Sequence, residues 1–253
     1  MKKIIFVMLI LMLAGFSFSA VAAPLSVFDG WTMIADDDGV GGSGYVDPGW
    51  GGQDFDAEYL FYKLEGSVLS IGLQTGFDVV DGLVTHGGRN YYAGDLALSF
   101  DGDASNYEYA FDFGLFTEGY FGTDLGTDSA GLYSVTTWSN DVYFTASNPF
   151  AMESGDLKQS VNTSVNIGGA TNDAGFEGDS YYRKVSFNLP SAMSSVILTS
   201  EVLLPEFTGF DAHWTMSCGN DAIDGSAPVP EPATLILLSS GLAGLDFYRR
   251  KKK

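Results

Sequence analysis

Cysteine and positive charge are both scarce in this chain. Its 253 residues include one cysteine, Cys218, and 12 lysine and arginine residues against 32 aspartate and glutamate residues. A single cysteine cannot form an internal disulfide, so we expect Cys218 to be a buried, inert core residue or, as the alternative, to pair with another molecule. The excess of negative charge argues against binding of nucleic acid, because such binding depends on basic residues that neutralise phosphates.

Histidine is equally rare, and this limits the chemistry that the sequence supports. His86 and His213 are the only histidines. Together with Cys218 they fall short of the three or four protein ligands that zinc needs. Nothing in the local sequence indicates an activated thiolate for a Cys218–His86 nucleophilic pair, and no sequence run indicates the paired carboxylates of a glycoside hydrolase. We therefore predict a protein that is not an enzyme and needs no cofactor.

The first 22 residues have the pattern of a secretory signal peptide. Lys2 and Lys3 precede an uninterrupted apolar run, 4–13, and small residues follow at Ala20 and Ala22. This order of positive start, apolar core and small-x-small cleavage site is typical of exported proteins. The pattern predicts cleavage after Ala22, with cleavage after residue 23 as the alternative.

A second apolar run lies near the C-terminus and ends in positive charge. Residues 233–248 are mostly apolar or small, and five basic residues close the chain, namely Arg249, Arg250, Lys251, Lys252 and Lys253. A helix of this length would be about 24 Å long, against about 30 Å for a bilayer core. The run predicts a single short transmembrane helix whose basic tail stays on the cytoplasmic side and stops its transfer.

The residues before this helix resemble a known sorting signal. Val229, Pro230, Glu231 and Pro232, followed by the short apolar helix and the basic tail, are similar to the PEP-CTERM motif. Members of that family are exported proteins of Gram-negative bacteria, and a membrane protease-transpeptidase called exosortase handles them. The resemblance implies that these four residues are read by exosortase, with transient residence in the inner membrane. It also implies a final place at the cell surface or in an extracellular matrix, often with exopolysaccharide.

The body between the two signals is acidic but has the composition of a folded domain. Without 1–22 and 231–253 it keeps 5 of the 12 basic and 30 of the 32 acidic residues, a balance of about −25. The full chain nevertheless has 13 tyrosines and 19 phenylalanines, whereas disordered chains are poor in aromatic residues. We expect a folded core beneath an acidic, soluble surface.

Alternation of apolar and polar residues dominates this body. Leu69, Ile71 and Leu73 would share one face of a strand, with polar or small residues between them. Glycine-containing turns separate such segments, and no helical stripe or fixed repeat period interrupts them. The pattern predicts an all-β fold, an antiparallel β-sandwich of jelly-roll type, with a repeat solenoid as the alternative. The candidate strands are 59–64, 67–75, 95–100, 107–113, 132–137, 142–145, 161–167, 181–189, 196–204 and 213–218.

The predicted order of domains follows from these segments. No composition shift divides the body into two parts. The predicted units are the signal peptide at 1–22, one β-sandwich domain at 23–221, a linker at 222–228 and the sorting signal at 229–253.

Two features of the body suggest ligands. Asp101, Asp103 and Ser105 place oxygen atoms at alternating positions of one loop and are candidate calcium ligands, although an ordinary hairpin turn would use the same residues. Exposed aromatic rings could stack on sugars, although large aromatics also fill β cores. The candidates are Trp31, Trp50, Tyr91, Tyr92, Trp138, Tyr181 and Trp214.

We therefore expect an exported surface or matrix protein with a structural or adhesive role. A carbohydrate-binding module that holds exopolysaccharide is the alternative, and a secreted hydrolase is a third class.

Overall fold

Antiparallel strands make up most of the part of the chain that the structure describes. The computed structural model describes residues 24–37, 51–66, 68–160, 164–173, 176–189 and 209–227. The predicted signal peptide, the predicted helix at 233–248 and the candidate strand at 196–204 lie outside these residues. No helix within them is long and apolar enough to cross a membrane.

Strands of two to thirteen residues follow one another along the described chain, with three short 3₁₀ helices between them. The strands are β1 (Thr32–Asp36), β2 (Ala57–Glu65), β3 (Val68–Thr75), β4 (Leu83–His86), β5 (Arg89–Tyr92), β6 (Leu96–Ser99), β7 (Tyr109–Asp112), β8 (Thr117–Glu118), β9 (Asp124–Gly126), β10 (Gly131–Trp138), β11 (Met152–Ser160), β12 (Ser164–Asp173), β13 (Phe176–Asn188), β14 (Asp211–Thr215) and β15 (Ala222–Ser226), and the 3₁₀ helices are η1 (Ser26–Phe28), η2 (Gln53–Phe55) and η3 (Thr145–Ser147).

Two larger sheets and two small hairpins contain these strands. The first sheet has the order β1-β2-β3-β13-β12, and the second has the order β11-β10-β7-β6-β14-β15. The hairpins are β4-β5 and β8-β9. The strand pairs are antiparallel, which confirms the prediction of an all-β antiparallel fold.

Alternation along the strands decides which side chains are buried. Leu69 and Ile71 of β3 lie opposite Phe187 and Val185 of β13, and all four are buried. On the other face, the hydroxyls of Ser70 and Ser186 share a hydrogen bond of 2.8 Å at the surface. In this part of the β3–β13 pair, the period of two in the sequence thus corresponds to one buried and one outer face, as the pleat of a strand allows.

The two larger sheets contribute to one hydrophobic core. Leu60 and Leu73 of the first sheet belong to the same buried cluster as Leu98 and Trp214 of the second. Aromatic rings join the sheets directly, since the ring centres of Phe111 and Phe187 lie 6.2 Å apart. Each buried side chain of this size contributes about 1.5–3 kcal/mol, so the shared core holds the two sheets together.

The structure corrects the predicted linker at 222–228. Residues 222–226 form β15, which pairs with β14 at the edge of the second sheet. Ala222, Ile223 and Gly225 are buried there, and a Cβ atom on Gly225 would meet the side chain of Ile34 at about 3.0 Å. This segment packs closely against β1 through small side chains, which give only a weak apolar pattern in the sequence. The weak pattern explains why the segment was predicted to be a linker.

The candidate strand at 142–145 is also wrong. Tyr143 and Phe144 each donate one backbone hydrogen bond, to the carbonyl oxygens of Ser217 and Cys218. The chain then turns through η3 instead of continuing as a strand. The apolar residues of this segment form a wall of the cleft described below, which explains their strand-like composition.

Other strands were not predicted. They are β1, β4, β5, β8, β9 and β11, which are short or have mixed burial patterns.

A pair of acidic side chains is buried beside the core. The Asp95 carboxylate accepts a hydrogen bond of 2.8 Å from the backbone amide of Met152. Burial, and then the charge of Asp112, raise the pKa of Asp95 well above the ordinary value for aspartate. Burial likewise raises the pKa of Asp112 to about 6, although the Gly114 amide and Arg183 act against the rise. The folded protein therefore binds protons that the unfolded chain would release.

We expect Asp95→Asn to stabilise the protein selectively at high pH. Because the folded-state pKa of Asp95 is raised, its contribution to stability is complete below the unfolded value near pH 4 and is lost as the pH rises through the folded value. The asparagine side chain keeps an oxygen that accepts the hydrogen bond from the Met152 amide, but it carries no charge. The free energy of unfolding, measured by denaturant titration, should exceed that of the wild type at pH 8 and approach it near pH 4.

Asp29→Asn is the matched control, because it removes one exposed charge and so reports only the general repulsion among acids. Equal gains at pH 8 from both substitutions would contradict the assigned role of Asp95.

Candidate functional site: an aromatic cleft

The predicted sorting residues lie outside the described part of the chain. This applies to Val229–Pro232 and to the basic tail, Arg249–Lys253.

The candidate calcium residues form a turn that is closed by its own hydrogen bonds. Asp101 accepts from the Asp103 amide and the Ser99 hydroxyl, each at 2.9 Å. Asp103 accepts from the amide of Ser105 at 3.0 Å and from its hydroxyl at 2.5 Å, and these bonds lower the pKa of Asp103. Among the described residues, no group of three or more histidine, cysteine or acidic side chains could hold a metal ion. Calcium binding at this turn stays a prediction.

Most of the aromatic candidates from the sequence are structural. Trp214 is fully buried, the Trp138 indole donates to the carbonyl oxygen of Tyr107 at 2.8 Å, and Trp31 packs edge-on against Phe28. Tyr181 packs against the main core. Tyr92 contacts Phe116, and Trp50 lies outside the described residues.

Tyr91 and Tyr92 are the candidates that line concave sites. Tyr92 lines a polar depression described below, and Tyr91 lines an open cleft of about 250 Å³ between the β4–β5 hairpin and the segment around η3. The residues that line this aromatic cleft are Gly51, Phe55, His86, Tyr91, Tyr120, Tyr143, Phe144, Cys218 and Asn220.

Three aromatic rings lie together beside the aromatic cleft, and two of them, Tyr120 and Tyr143, line it. The ring centres of Tyr120 and Tyr143 lie 4.7 Å apart, and Phe121 lies 5.1 Å from Tyr120. Phe121 is 73% exposed and Tyr143 is 49% exposed. Large rings that are exposed next to one another form an apolar patch on an otherwise acidic surface, and such patches mark binding surfaces.

The backbone of residues 215–219 joins the two walls of the aromatic cleft. On one side, the Ser217 amide donates to the carbonyl oxygen of Tyr92 at 2.9 Å, and the Tyr92 amide donates to the Ser217 hydroxyl at 3.0 Å. On the other side, the amides of Tyr143 and Phe144 donate to the carbonyl oxygens of Ser217 and Cys218. The relative position of Tyr91 and Tyr143 is therefore set by main-chain bonds.

Asp141 holds the turn that carries Tyr120 and Phe121. One carboxylate oxygen accepts from the Phe121 amide at 2.7 Å, and the other accepts from the Thr123 amide at 2.8 Å. Burial raises the pKa of Asp141, but the hydrogen bonds from Thr123 and Phe121 outweigh this effect and leave the pKa below its ordinary value. A Cβ atom on Gly119 would meet the same carboxylate, so the turn needs glycine there.

His213 of β14 links the other wall of the aromatic cleft to the second sheet through η3. Its Nδ1 faces the Asp224 carboxylate at 2.7 Å, and its Nε2 faces the carbonyl oxygen of Ser147, in η3, at 3.0 Å. Both partners are acceptors, so the ring satisfies both when each nitrogen carries a proton. Burial raises the pKa of Asp224, but the hydrogen bond from His213 and the charge of His213 outweigh this effect and leave the pKa below its ordinary value.

Cys218 and His86 line the same aromatic cleft, but the thiol is not activated. Burial raises the pKa of Cys218 to about 12, and the thiol donates a hydrogen bond to the Asn220 side chain. Cys218 is therefore protonated at neutral pH, whereas the nucleophilic form of cysteine is the thiolate. The buried position agrees with the expectation of a core-like cysteine.

A second, polar depression adjoins the aromatic cleft and shares Tyr120 with it. This polar groove has a volume of about 430 Å³. Its lining residues are Gly88, Arg89, Asn90, Tyr92, Glu118, Gly119, Tyr120, Phe121 and Gly122. Apolar rings and hydrogen-bonding groups thus lie side by side over one continuous surface.

Five aromatic residues of this surface were not among the candidates from the sequence, namely Phe55, Tyr120, Phe121, Tyr143 and Phe144. Tyr120 and Phe121 stand between Gly119 and Gly122 in a short loop. For these two residues, adjacent aromatics flanked by glycines were the available signal.

Comparison with known families identifies the C-terminal segment. Residues 228–253 match the family model of the PEP-CTERM protein-sorting motif, which confirms the resemblance seen in the sequence. No curated protein and no solved structure matches the chain. The motif covers the C-terminus alone, and it marks the chain as an exported protein that exosortase recognises and that is processed at the membrane.

Asp141→Ala should loosen the turn at 119–123 without unfolding the sheets. It removes the acceptor of two backbone hydrogen bonds, each of which contributes about 1.5–3 kcal/mol when the acceptor is charged. Limited digestion with chymotrypsin should cleave the variant after Tyr120 or Phe121 at least several-fold faster than the wild type.

Asp124→Ala is the control, since within the described part of the chain the Asp124 carboxylate bonds only in its own turn, to the Gly126 amide. Cleavage of Asp141→Ala at the wild-type rate would show that the turn does not depend on Asp141.

Proposed function

We propose that this exosortase-sorted protein is an adhesive component of the cell surface or extracellular matrix that binds polysaccharide through the aromatic cleft. In this proposal the body is a β-sandwich of jelly-roll type, and it acts by binding, without catalysis. The sorting motif supports the exported location. Exopolysaccharide at the surface of a Gram-negative bacterium is the proposed environment.

The observation that carries the proposal is the cluster of exposed rings at the cleft. The apolar faces of sugar rings stack on aromatic side chains, and such rings lose little conformational entropy on binding because they have few rotatable bonds. Phe121 and Tyr143 are prominently exposed, and their ring centres are 6.4 Å apart. The polar groove supplies hydrogen-bonding groups for hydroxyls next to this platform.

The state of the nearby reactive groups supports binding without catalysis. The Cys218 thiol has a raised pKa and is not a nucleophile at neutral pH. The oxygens of Asp141 are both bonded to backbone amides of the turn, so this carboxylate is occupied as a structural anchor.

Substitution of the exposed rings tests the binding site. Phe121→Ala and Tyr143→Ala should each weaken binding to polysaccharide by about threefold to tenfold, because a ring contact contributes about 0.5–1.5 kcal/mol. Affinity electrophoresis through gels that contain the host's extracted extracellular polysaccharide measures the change.

Leu157→Ala is the matched control, because Leu157 is another exposed apolar residue, on β11, and lines neither the aromatic cleft nor the polar groove. Equal retardation of all three variants and the wild type would contradict binding at the cleft, and absence of retardation for the wild type would contradict the proposal itself.

The sorting step has its own test. The double variant Pro230→Ala with Glu231→Ala should keep its C-terminal segment and stay in the inner membrane, because its Pro-Glu-Pro recognition residues are disrupted. Intact mass spectrometry of each cell fraction measures this, and wild-type protein should lack Arg249–Lys253 outside the inner membrane.

Thr234→Ala, which leaves Pro-Glu-Pro intact, is the control. Normal release of the double variant would contradict the assigned role of these residues.

A further inference from the structure

Arg89 is held rigidly where the polar groove meets the aromatic cleft. It begins β5, and its guanidinium carbon lies 4.0 Å from the centre of the Tyr120 ring. One guanidinium nitrogen also donates to the carbonyl oxygen of Tyr120 at 2.9 Å. Stacking and this hydrogen bond fix the plane of the guanidinium before any ligand arrives.

The other basic residues of the body are already engaged. Lys63 pairs with Glu65 at 2.8 Å, and Lys158 lies 3.7 Å from Asp156. Arg183 is buried and donates to the carbonyl oxygen of Val79 at 2.5 Å. Lys184 lies 5.6 Å from the centre of the Tyr182 ring.

Arg89 differs from Lys63 and Lys158 in its charge environment. It is exposed, and among the described residues no acidic side chain forms an ion pair with it. The body carries 30 acidic residues, so an exposed arginine that forms no ion pair is an unusual point on this surface. Glu118 lines the same groove, but the two side chains form no ion pair.

The chemistry of a fixed guanidinium favours one kind of ligand group. Arginine has five N–H donors in a planar fork that matches the two oxygens of a carboxylate. The Tyr120 carbonyl uses one donor and the Tyr120 ring covers one face, which leaves further donors at the edge. Asn90 and Glu118 line the same groove and can bond to sugar hydroxyls.

We propose that the polar groove binds a carboxylated sugar residue, a uronic acid or its equivalent, with the carboxylate held by Arg89 and the neighbouring sugar stacked on Phe121. This inference rests on the proposed function, since it names the ligand class of the same surface. The Glu118 carboxylate accepts a hydrogen bond from a hydroxyl of the bound sugar. Because the negative charge of the body repels anionic polymers in general, binding is limited to polymers that place a carboxylate directly on Arg89.

Carboxyl reduction of the polysaccharide tests the inference. Polygalacturonate, alginate and the host's extracted extracellular polysaccharide are each used intact and after chemical reduction of their carboxylates to hydroxymethyl groups. We expect the wild type to bind at least one intact polymer and to lose about tenfold or more in affinity when that polymer is reduced.

Variants of Arg89 locate the effect. Arg89→Gln should lose about tenfold or more for the intact polymer and less than threefold for any reduced polymer that binds, and Arg89→Lys should be intermediate because it keeps the charge without the fork. Phe121→Ala should weaken binding to both forms. Lys63→Gln is the control for removal of a positive charge elsewhere.

The outcomes separate the two proposals. Equal affinity for intact and reduced polymers, with loss of both in Phe121→Ala, would overturn the inference and leave the proposed function in place. Equal losses in Arg89→Gln and Lys63→Gln would also overturn it. Absence of binding to all six preparations would overturn the proposed function and the inference together.

Discussion

The main-chain hydrogen bonds of residues 215–219 are the constraint on which the binding surface depends. This short segment extends β14 and bonds to the β4–β5 side through Tyr92 and to the η3 side through Tyr143 and Phe144. Gly219 makes this possible, because its φ is +62° and a Cβ atom there would lie about 2.8 Å from the carbonyl oxygen of Phe144. The core fixes β14 through Trp214, and β14 in turn fixes both walls of the cleft.

Local pattern and long-range pairing account for what the sequence could and could not predict. The alternation in β3, β6, β7 and β13 could be recognised in the sequence because one face of each strand meets the shared core. The hydrogen-bonding partners of β5 and of residues 215–219 could not be predicted, since the bond between Tyr92 and Ser217 joins residues 125 positions apart. The linker predicted at 222–228 and the strand predicted at 142–145 were both wrong because they were assigned from composition, which does not show how a segment pairs with other strands.

The candidate site was harder to predict than the fold because residue type does not determine exposure. Tryptophan is the largest apolar side chain, and in this protein Trp214 fills the core while Trp138 bonds to the backbone. Phe121, the most exposed of the rings, stands on a turn whose shape is set by Asp141, a residue from another segment. That dependence appears only once the chain is folded. The sorting motif, in contrast, is a contiguous pattern, and the sequence alone was sufficient to find it.

The position of β15 has a mechanical consequence. This strand ends at Ser226, the Ala227 amide still bonds to the carbonyl oxygen of Phe210, and the sorting motif begins at residue 228. Because the sorting motif begins directly after this strand, any force applied to the C-terminal segment acts on an edge strand of the six-stranded sheet. The hydrogen bonds between β14 and β15 are then the first of the described bonds to carry the load.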